Sequence, residues 1–333
     1  MRKKILIVTD NIKDQINGVV STFNNIEICA DSDGYDFVYI DPGQFSYIDC
    51  PGYAEVKISW PRGIGKRIEE INPDHIHIAT EGPVGLAARI WCDMHGYFYN
   101  TSYHTKFPEF LNTLYKIPVG ITYRYVRWFH KHSGRVLTTT VSMVKELESR
   151  GFRSDIIPWT RGVDRSVLKP TITRRKNTSP IVLYVGRVSK EKNLEDLCTL
   201  QNKYVIIIVG DGPHRKELEE KYEKVKFVGY KKGSELADYY NSADVFCFPS
   251  TNDTFGIVMI ESLSVGTPVA AYDVTGPKDI VHNGINGYIG PDLSESINKC
   301  LSLNRKLVKE TSKEWTWENC WTIFKNNLIK ARG

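Results

Sequence analysis

The chain has 333 residues, 41% of them hydrophobic and 25% charged, with a formal net charge of +5. That length exceeds the usual single domain, so two soluble globular domains are the first expectation. Residues 1–160 balance at 18 basic against 18 acidic side chains, so charge alone does not point to nucleic acid.

The seven cysteines are scattered, odd in number and without a CxxC pair, which disfavours a disulfide framework or a zinc knuckle. They read as reduced thiols of a cytoplasmic protein. The opening "MRKKILIVTD" has a basic start, but its apolar core is too short for a signal peptide, and no later run reaches transmembrane length.

Taken in chain order, the first half alternates short apolar runs with amphipathic segments. Strands are expected at "KILIVTD" (residues 4–10), "DFVYID" (36–41), "HIHIAT" (75–80) and "YFYNTSYHT" (97–105). The second half repeats the style with "IVLYVG", "YVIIIVG", "KFVGY", "DVFCFPS" and "PVAAYDV". Runs this apolar, separated by helices, indicate parallel strands covered on both faces, an α/β architecture. The stretch 161–180, "RGVDRSVLKPTITRRKNTSP", breaks both periodicities and reads as a linker. The expected division is a first domain over 1–160, that linker, and a second domain over 181–312, followed by a terminal segment over 313–333. Two such domains normally face each other across a cleft, with ligands beyond the carboxyl ends of the strands.

The loops after the strands therefore carry the candidate chemistry. "DNIKDQINGVV" follows the first strand and places Gly18 at a helix start, where backbone can approach an anion, although a plain turn explains a lone glycine equally well. The dinucleotide fingerprint GxGxxG is absent, which disfavours a nicotinamide enzyme. His104 ends the fourth strand, placed either for proton transfer or for a hydrogen bond to a hydroxyl; alone, a structural histidine serves as well. His75 and His77 share a strand face without a third ligand at metal spacing, so structural roles are expected for both.

Between residues 106 and 135, Lys106, Lys116, Arg124, Arg127, Lys131 and Arg135 meet one acid, Glu109, and are interleaved with aromatics. An amphipathic helix with a solvated basic face accounts for this, as does a patch for an anionic acceptor or membrane surface. In the second half, Arg187 and Lys192 flank a loop leading to a helix near Asn193, an arrangement suited to a diphosphate or to an ordinary basic loop. "DVFCFPSTNDTFGIVMIESLSVGTP" then gives a strand, a turn and a helix, with Asp253 in the turn at the helix start and Glu261 roughly 9 to 12 Å further along by helical rise. The amides of Phe255, Gly256 and Ile257 would lie open to phosphate oxygens between them. An acid inside so apolar a helix is costly to bury unless something satisfies it, as a ribose diol can. The plainer alternative is that Asp253 caps the helix and Glu261 is solvated.

These segments together, "NGVV", "SYHT", "RGVD", "YVGRVSKEKNLEDL", "IVGDGPHRKELE" and "PSTNDTFGIVMIESLSVGTPVAAY", resemble the retaining glycosyltransferases of family 4, which have the GT-B fold. The resemblance implies Asp253 near the transferred sugar, Glu261 on the ribose, Arg187 and Lys192 on the diphosphate, and Gly18 approaching it from the other domain. It further implies His104 against the sugar, the base against Val228 and Tyr230, an acceptor-side domain over 1–160, a donor-binding domain over 181–312, and a closing helix over 313–333 that packs back toward the first domain. Asp253 stands where the commonest family pattern has Glu, one methylene longer, which bears on the sugar preference.

The implied function is metal-independent transfer of a hexose from UDP-sugar or GDP-mannose to a hydroxyl of a glycan or lipid acceptor, with retention. The implied location is cytoplasmic or peripheral to a membrane. No cofactor is expected, since Arg187, Lys192 and helix amides can stabilise the departing diphosphate, and the lone Asp-x-Asp at Asp31 reads as a surface turn. A GT-B epimerase or phosphorylase would share fold and donor chemistry, and a non-catalytic nucleotide-sugar-binding protein would bind without releasing diphosphate.

Overall fold

The computed structural model describes residues 2–15, 17–50, 53–174 and 177–333. The chain forms two compact units, Met1–Arg161 with Trp317–Gly333, and Gly162–Thr316.

In the first unit the strands are β1 (Lys3–Val8), β2 (Tyr35–Ile40), β3 (Ser46–Cys50), β4 (Tyr53–Trp60), β5 (His75–Ile78), β6 (Asn100–Tyr103), β7 (Val136–Thr138) and β8 (Ile156–Pro158). Its helices are α1 (Gly18–Ser32), α2 (Ile64–Ile71), α3 (Pro83–His95), α4 (Phe107–Tyr115), α5 (Val119–His130) and α6 (Val141–Ser149). Six strands make one sheet in the order β2-β1-β5-β6-β7-β8, every pairing parallel, while β3 and β4 form a separate antiparallel pair. The run Ile5, Leu6, Ile7 and Val8 is wholly buried because β1 is central and covered on both faces.

The second unit contains β9 (Ile181–Val185), β10 (Val205–Val209), β11 (Lys226–Phe227), β12 (Val245–Phe248), β13 (Val269–Ala271) and β14 (Gly287–Ile289). Between and after them lie α7 (Leu194–Cys198), α8 (Arg215–Lys221), α9 (Gly233–Ser242), α10 (Ile257–Ser264), α11 (Pro277–Ile280), α12 (Leu293–Cys300) and α13 (Arg305–Glu310). Its sheet is parallel throughout, ordered β11-β10-β9-β12-β13-β14. The order in which strands are added therefore reverses between β9 and β12, the point where sheets of this kind open a crevice for ligand. Both units are Rossmann-like.

The final helix, α14 (Trp317–Asn326), belongs to the first unit. Its Trp321 and Phe324 pack with Ile5, Ile7, Phe23 and Trp159, and Trp321 Nε1 donates to Asp33 at 2.7 Å. Residues from Gly162 onward, read from the sequence as linker, are tied into the second unit. Thr171 donates through N–H and hydroxyl to Asp238, and Arg174 pairs with Asp244. The proline- and basic-rich composition that suggests a tether is held by side-chain contacts that composition does not reveal.

The expected amphipathic segment at 106–135 is two helices, broken where Lys116 adopts a left-handed conformation ahead of Pro118. No helix among the described residues is long and apolar enough to cross a membrane.

Candidate active site

In the second unit, the loops following β9 and β12 hold most of the residues singled out in sequence. Lys192 ends a short 3-10 turn, Lys190–Lys192, and Asn193 takes a left-handed conformation before α7 begins at Leu194. That turn aims the ammonium across at the loop after β12, where Lys192 Nζ donates to both carboxylate oxygens of Asp253 at 2.7 and 2.9 Å. The two side chains are 21% and 26% exposed, so the pair sits at the rim of the unit rather than in its core. Arg187 is half-buried one residue after Gly186, its carbonyl accepting from the Tyr184 hydroxyl at 3.0 Å.

The helix after β12 starts later than the spacing suggests. Ile257 is its first residue, so Asp253 lies four residues ahead in an irregular segment, and helical rise does not measure its separation from Glu261. Asp253 does not cap α10: the cap is Gly256, with no side-chain hydrogen bond closing the end. Gly256 has φ 90°, and a Cβ there would stand 2.8 Å from Met259 Cε and 2.9 Å from Phe248 Cζ, so the turn needs glycine on both grounds. The result is a helix N-terminus with no acid of its own upon it, open in electrostatic sense to an anion. Phe255 is buried, its ring edge-on to that of Trp315.

Glu261 is not a solvated acid. The Tyr240 hydroxyl donates to its Oε2 at 2.8 Å, and burial raises its carboxyl above the usual range. Tyr230, beyond β11, is 56% exposed, a broad aromatic face at the carboxyl edge of the sheet, and Val228 beside it packs into the core.

Gly18 and His104 belong to the first unit. Gly18 is the first residue of α1 as expected, but the Asn17 side chain already accepts from the amides of Val19 and Val20, both at 3.0 Å, so that helix end offers fewer donors than the sequence suggests. His104 follows β6 directly, between the rings of Phe23 and Trp159, with its Nδ1 2.9 Å from Arg161 Nη2. Burial, then the Arg161 cation, then His77 push its imidazole well below the usual histidine range. A neutral ring of that kind donates one hydrogen bond and is a poor proton acceptor. His77 bonds Ser102 through Nε2 at 2.6 Å, and burial lowers it to about 3; His75 Nδ1 meets the Ile329 carbonyl at 2.7 Å.

Three partners were not singled out by sequence reasoning. Arg161 appeared only in "RGVD", at the start of the expected linker, and Tyr240 not at all. Asp10, the acid that ends the first strand run, accepts from Thr80 Oγ1 and from the amides of Val84 and Gly85, and burial pushes its carboxyl up to about 6. An acid directly after an apolar strand was the available signal for it. Asp31 and Asp33, from the only Asp-x-Asp, lie at the end of α1 and pair with Arg2 and Lys325.

Residues 27–167 match the family model described as Glycosyltransferase Family 4, and residues 169–314 the one described as Glycosyl transferases group 1. The chain belongs to glycosyltransferase family 4. Among relatives of this family 4 chain, a sulfoquinovosyl transferase of Arabidopsis thaliana is 27% identical over 85% of the chain and 62% of that protein. A GDP-mannose-dependent alpha-mannosyltransferase of Corynebacterium glutamicum is 28% identical over 86% of the chain and 76% of its own length. The chain thus spans under two thirds of the first relative and about three quarters of the second. The solved structure of Anabaena HepE in complex with UDP and glucose superposes with a TM-score of 0.75 at 15% identity, covering 98% of the chain and 99% of HepE. The fold is GT-B.

Proposed function

We propose that this family 4 chain transfers a hexose from a nucleoside-diphosphate sugar to a hydroxyl of a glycan or lipid acceptor, with retention and without a metal ion. The observation that carries the reading is the Lys192–Asp253 contact beside the uncapped start of α10, at the strand-order reversal of the second unit. Departure of the diphosphate from an anomeric carbon builds negative charge on phosphate oxygens, and cations with preorganised amides stabilise it. Arg187, Lys192 and the amides of Phe255, Gly256 and Ile257 serve there, with Glu261 on the ribose diol and Tyr230 beside the base. Asp253 faces the transferred sugar once Lys192 turns to phosphate. In the first unit, Gly18 brings backbone to the diphosphate, and His104 donates to a sugar hydroxyl, a role its low basicity suits better than proton abstraction.

GDP-mannose is the donor suggested by the relative named for it, and UDP-glucose the one suggested by a HepE structure solved in complex with it. Both are tested by incubating the chain with each donor in EDTA and following diphosphate release and the anomeric configuration of the product by NMR. Release in EDTA with the donor's configuration kept supports the reading. Release only after adding magnesium or manganese refutes metal independence, an inverted product refutes retention, and no release from either donor under any condition leaves a non-catalytic nucleotide-sugar binder.

The exposed face of α5 supports a peripheral contact with an anionic membrane. Ile121 (63% exposed) and Trp128 (44%) alternate there with exposed Arg124 and Lys131, at the spacing of one helical stripe. Co-sedimentation with vesicles containing anionic lipid, lost in Arg124→Glu with Lys131→Glu, tests this; no binding by the parent chain would end it.

A further inference from the structure

Arg161 is a buried cation without an acid. It is 3% exposed, and among the described residues no carboxylate lies within ion-pair distance of it. Its Nη1 donates to the carbonyls of Trp159 and Thr160 at 2.7 and 2.9 Å, and its guanidinium lies 4.5 Å from the Trp159 ring centroid. Trp159 is itself fully buried, with Nε1 donating to the Cys320 carbonyl at 2.9 Å. The guanidinium is therefore clamped, and its remaining edge, Nη2, is directed at Nδ1 of His104.

The chemistry of the two groups decides which atom carries the proton. A guanidinium has five N–H donors and no acceptor, so a hydrogen bond between Nη2 and Nδ1 requires a lone pair on Nδ1. Neutral imidazole then has its one N–H on Nε2. An imidazolium would turn an N–H toward the cation and lose the bond. Among the described residues, the other titratable groups acting on this pair are the His77 ring and the Cys320 thiol; burial pushes that thiol up to about 12, so it stays neutral beside the guanidinium.

We propose that Arg161 is a positioning residue that holds His104 in the tautomer with its proton on Nε2, so that His104 always presents a donor and never a base. The catalytic meaning of this rests on the proposed function; the tautomer itself does not. A buried unpaired cation is costly in a protein interior. Fixing one ring nitrogen as a donor gives that cost a use, because a sugar hydroxyl or a developing oxyanion needs a donor already in place.

The test is a long-range ¹H–¹⁵N correlation spectrum of the uniformly labelled protein without ligand, from about pH 5.5 to 8.5, the range in which an ordinary histidine titrates. The His104 ring is assigned by its loss in His104→Ala. The expected pattern is pyrrole-type Nε2 and pyridine-type Nδ1 throughout. A proton on Nδ1, a mixture, or a ring that titrates in this range overturns the proposal. Arg161→Met, which keeps bulk but no donor, is expected to mix the tautomers and let the ring titrate, whereas Arg161→Lys, still donor only, keeps the parent pattern. An unchanged tautomer in Arg161→Met, or its loss in Arg161→Lys, overturns the assignment, and the lysine variant decides if the methionine variant does not fold. With GDP-mannose or UDP-glucose, Arg161→Met should lose roughly tenfold or more in kcat and gain an acid limb in its pH profile that the parent lacks. If neither donor turns over while the spectrum holds, the functional reading fails and the tautomer assignment stands.

Discussion

Two cations in this chain meet different partners, and the contrast separates two ways of using charge. Lys192, at the rim of the second unit, is balanced by the Asp253 carboxylate with both groups about a quarter exposed. Arg161, in the interior of the first unit, faces neutral carbonyls and an imidazole. A rim pair exchanges partners at little cost because water screens both ends. A buried cation keeps its neighbours, because each lost hydrogen bond would leave a desolvated charge. The second unit is therefore suited to take up and release an anion, and the first to fix protonation states.

The largest expected effect probes the second unit. Arg187→Ala should lower kcat with the productive donor by at least about a hundredfold, as for loss of one preorganised donor to a developing oxyanion. Steady-state kinetics with GDP-mannose and UDP-glucose measures it, and a rate unchanged within a factor of two would remove Arg187 from the diphosphate and break the contrast on that side.

A fixed protonation state in the first unit should also appear as pH-dependent stability. Burial raises the Asp10 carboxyl from its ordinary 3.8 to about 6 in the folded chain. Its stabilising contribution is then complete below the unfolded value and is lost as pH rises through about 6. The difference corresponds to about 2–3 kcal/mol between pH 4 and pH 7. Asp10→Asn cannot titrate and keeps one of the two acceptor oxygens, so its stability is offset by a constant but urea melts of the two proteins should diverge by that amount over this interval. Parallel curves would mean that the amides and the Thr80 hydroxyl offset desolvation.

The sequence carried the parallel strands, the loops that follow them and the helix starts at Gly18 and near Asn193, since each is written in local apolar runs and turn residues. β7, β8 and β14 have three residues each, too few to show a period, and β3 with β4 lies outside the alternation of strand and helix. Partnerships were not legible at all. Lys192 and Asp253 are 61 residues apart and meet because strand order sets β9 beside β12; His104 and Arg161 are 57 apart and meet because the chain leaving β8 turns back to the end of β6. Local pattern names candidate residues, and topology chooses which of them touch.

Tyr240→Phe tests whether the second unit also holds one charge tightly. Loss of the 2.8 Å bond to Glu261 should cost about 1–2 kcal/mol of stability and leave a carboxyl still harder to ionise. If Glu261 holds the ribose, KM for the donor should rise several-fold with kcat little changed, and a loss in kcat alone would place Glu261 elsewhere in the reaction.

The smallest effect is the most discriminating, because its two parts have opposite signs. For Lys192 to bind a diphosphate, Asp253 must give it up, and a pair this exposed is worth about 0.2–1 kcal/mol. Asp253→Asn removes the competing anion while keeping the size of the side chain, so the affinity for GDP or UDP, measured by calorimetry, should tighten by up to about fivefold. Turnover should fall in the same variant, because the group facing the transferred sugar has lost its charge. Tighter nucleotide with slower transfer would mean that Lys192 exchanges partners during the cycle. Unchanged affinity would mean that Lys192 stays with residue 253 and that Arg187 and the α10 amides meet the diphosphate without it, so the rim cation would be as fixed as the buried one and the contrast between the two would fall.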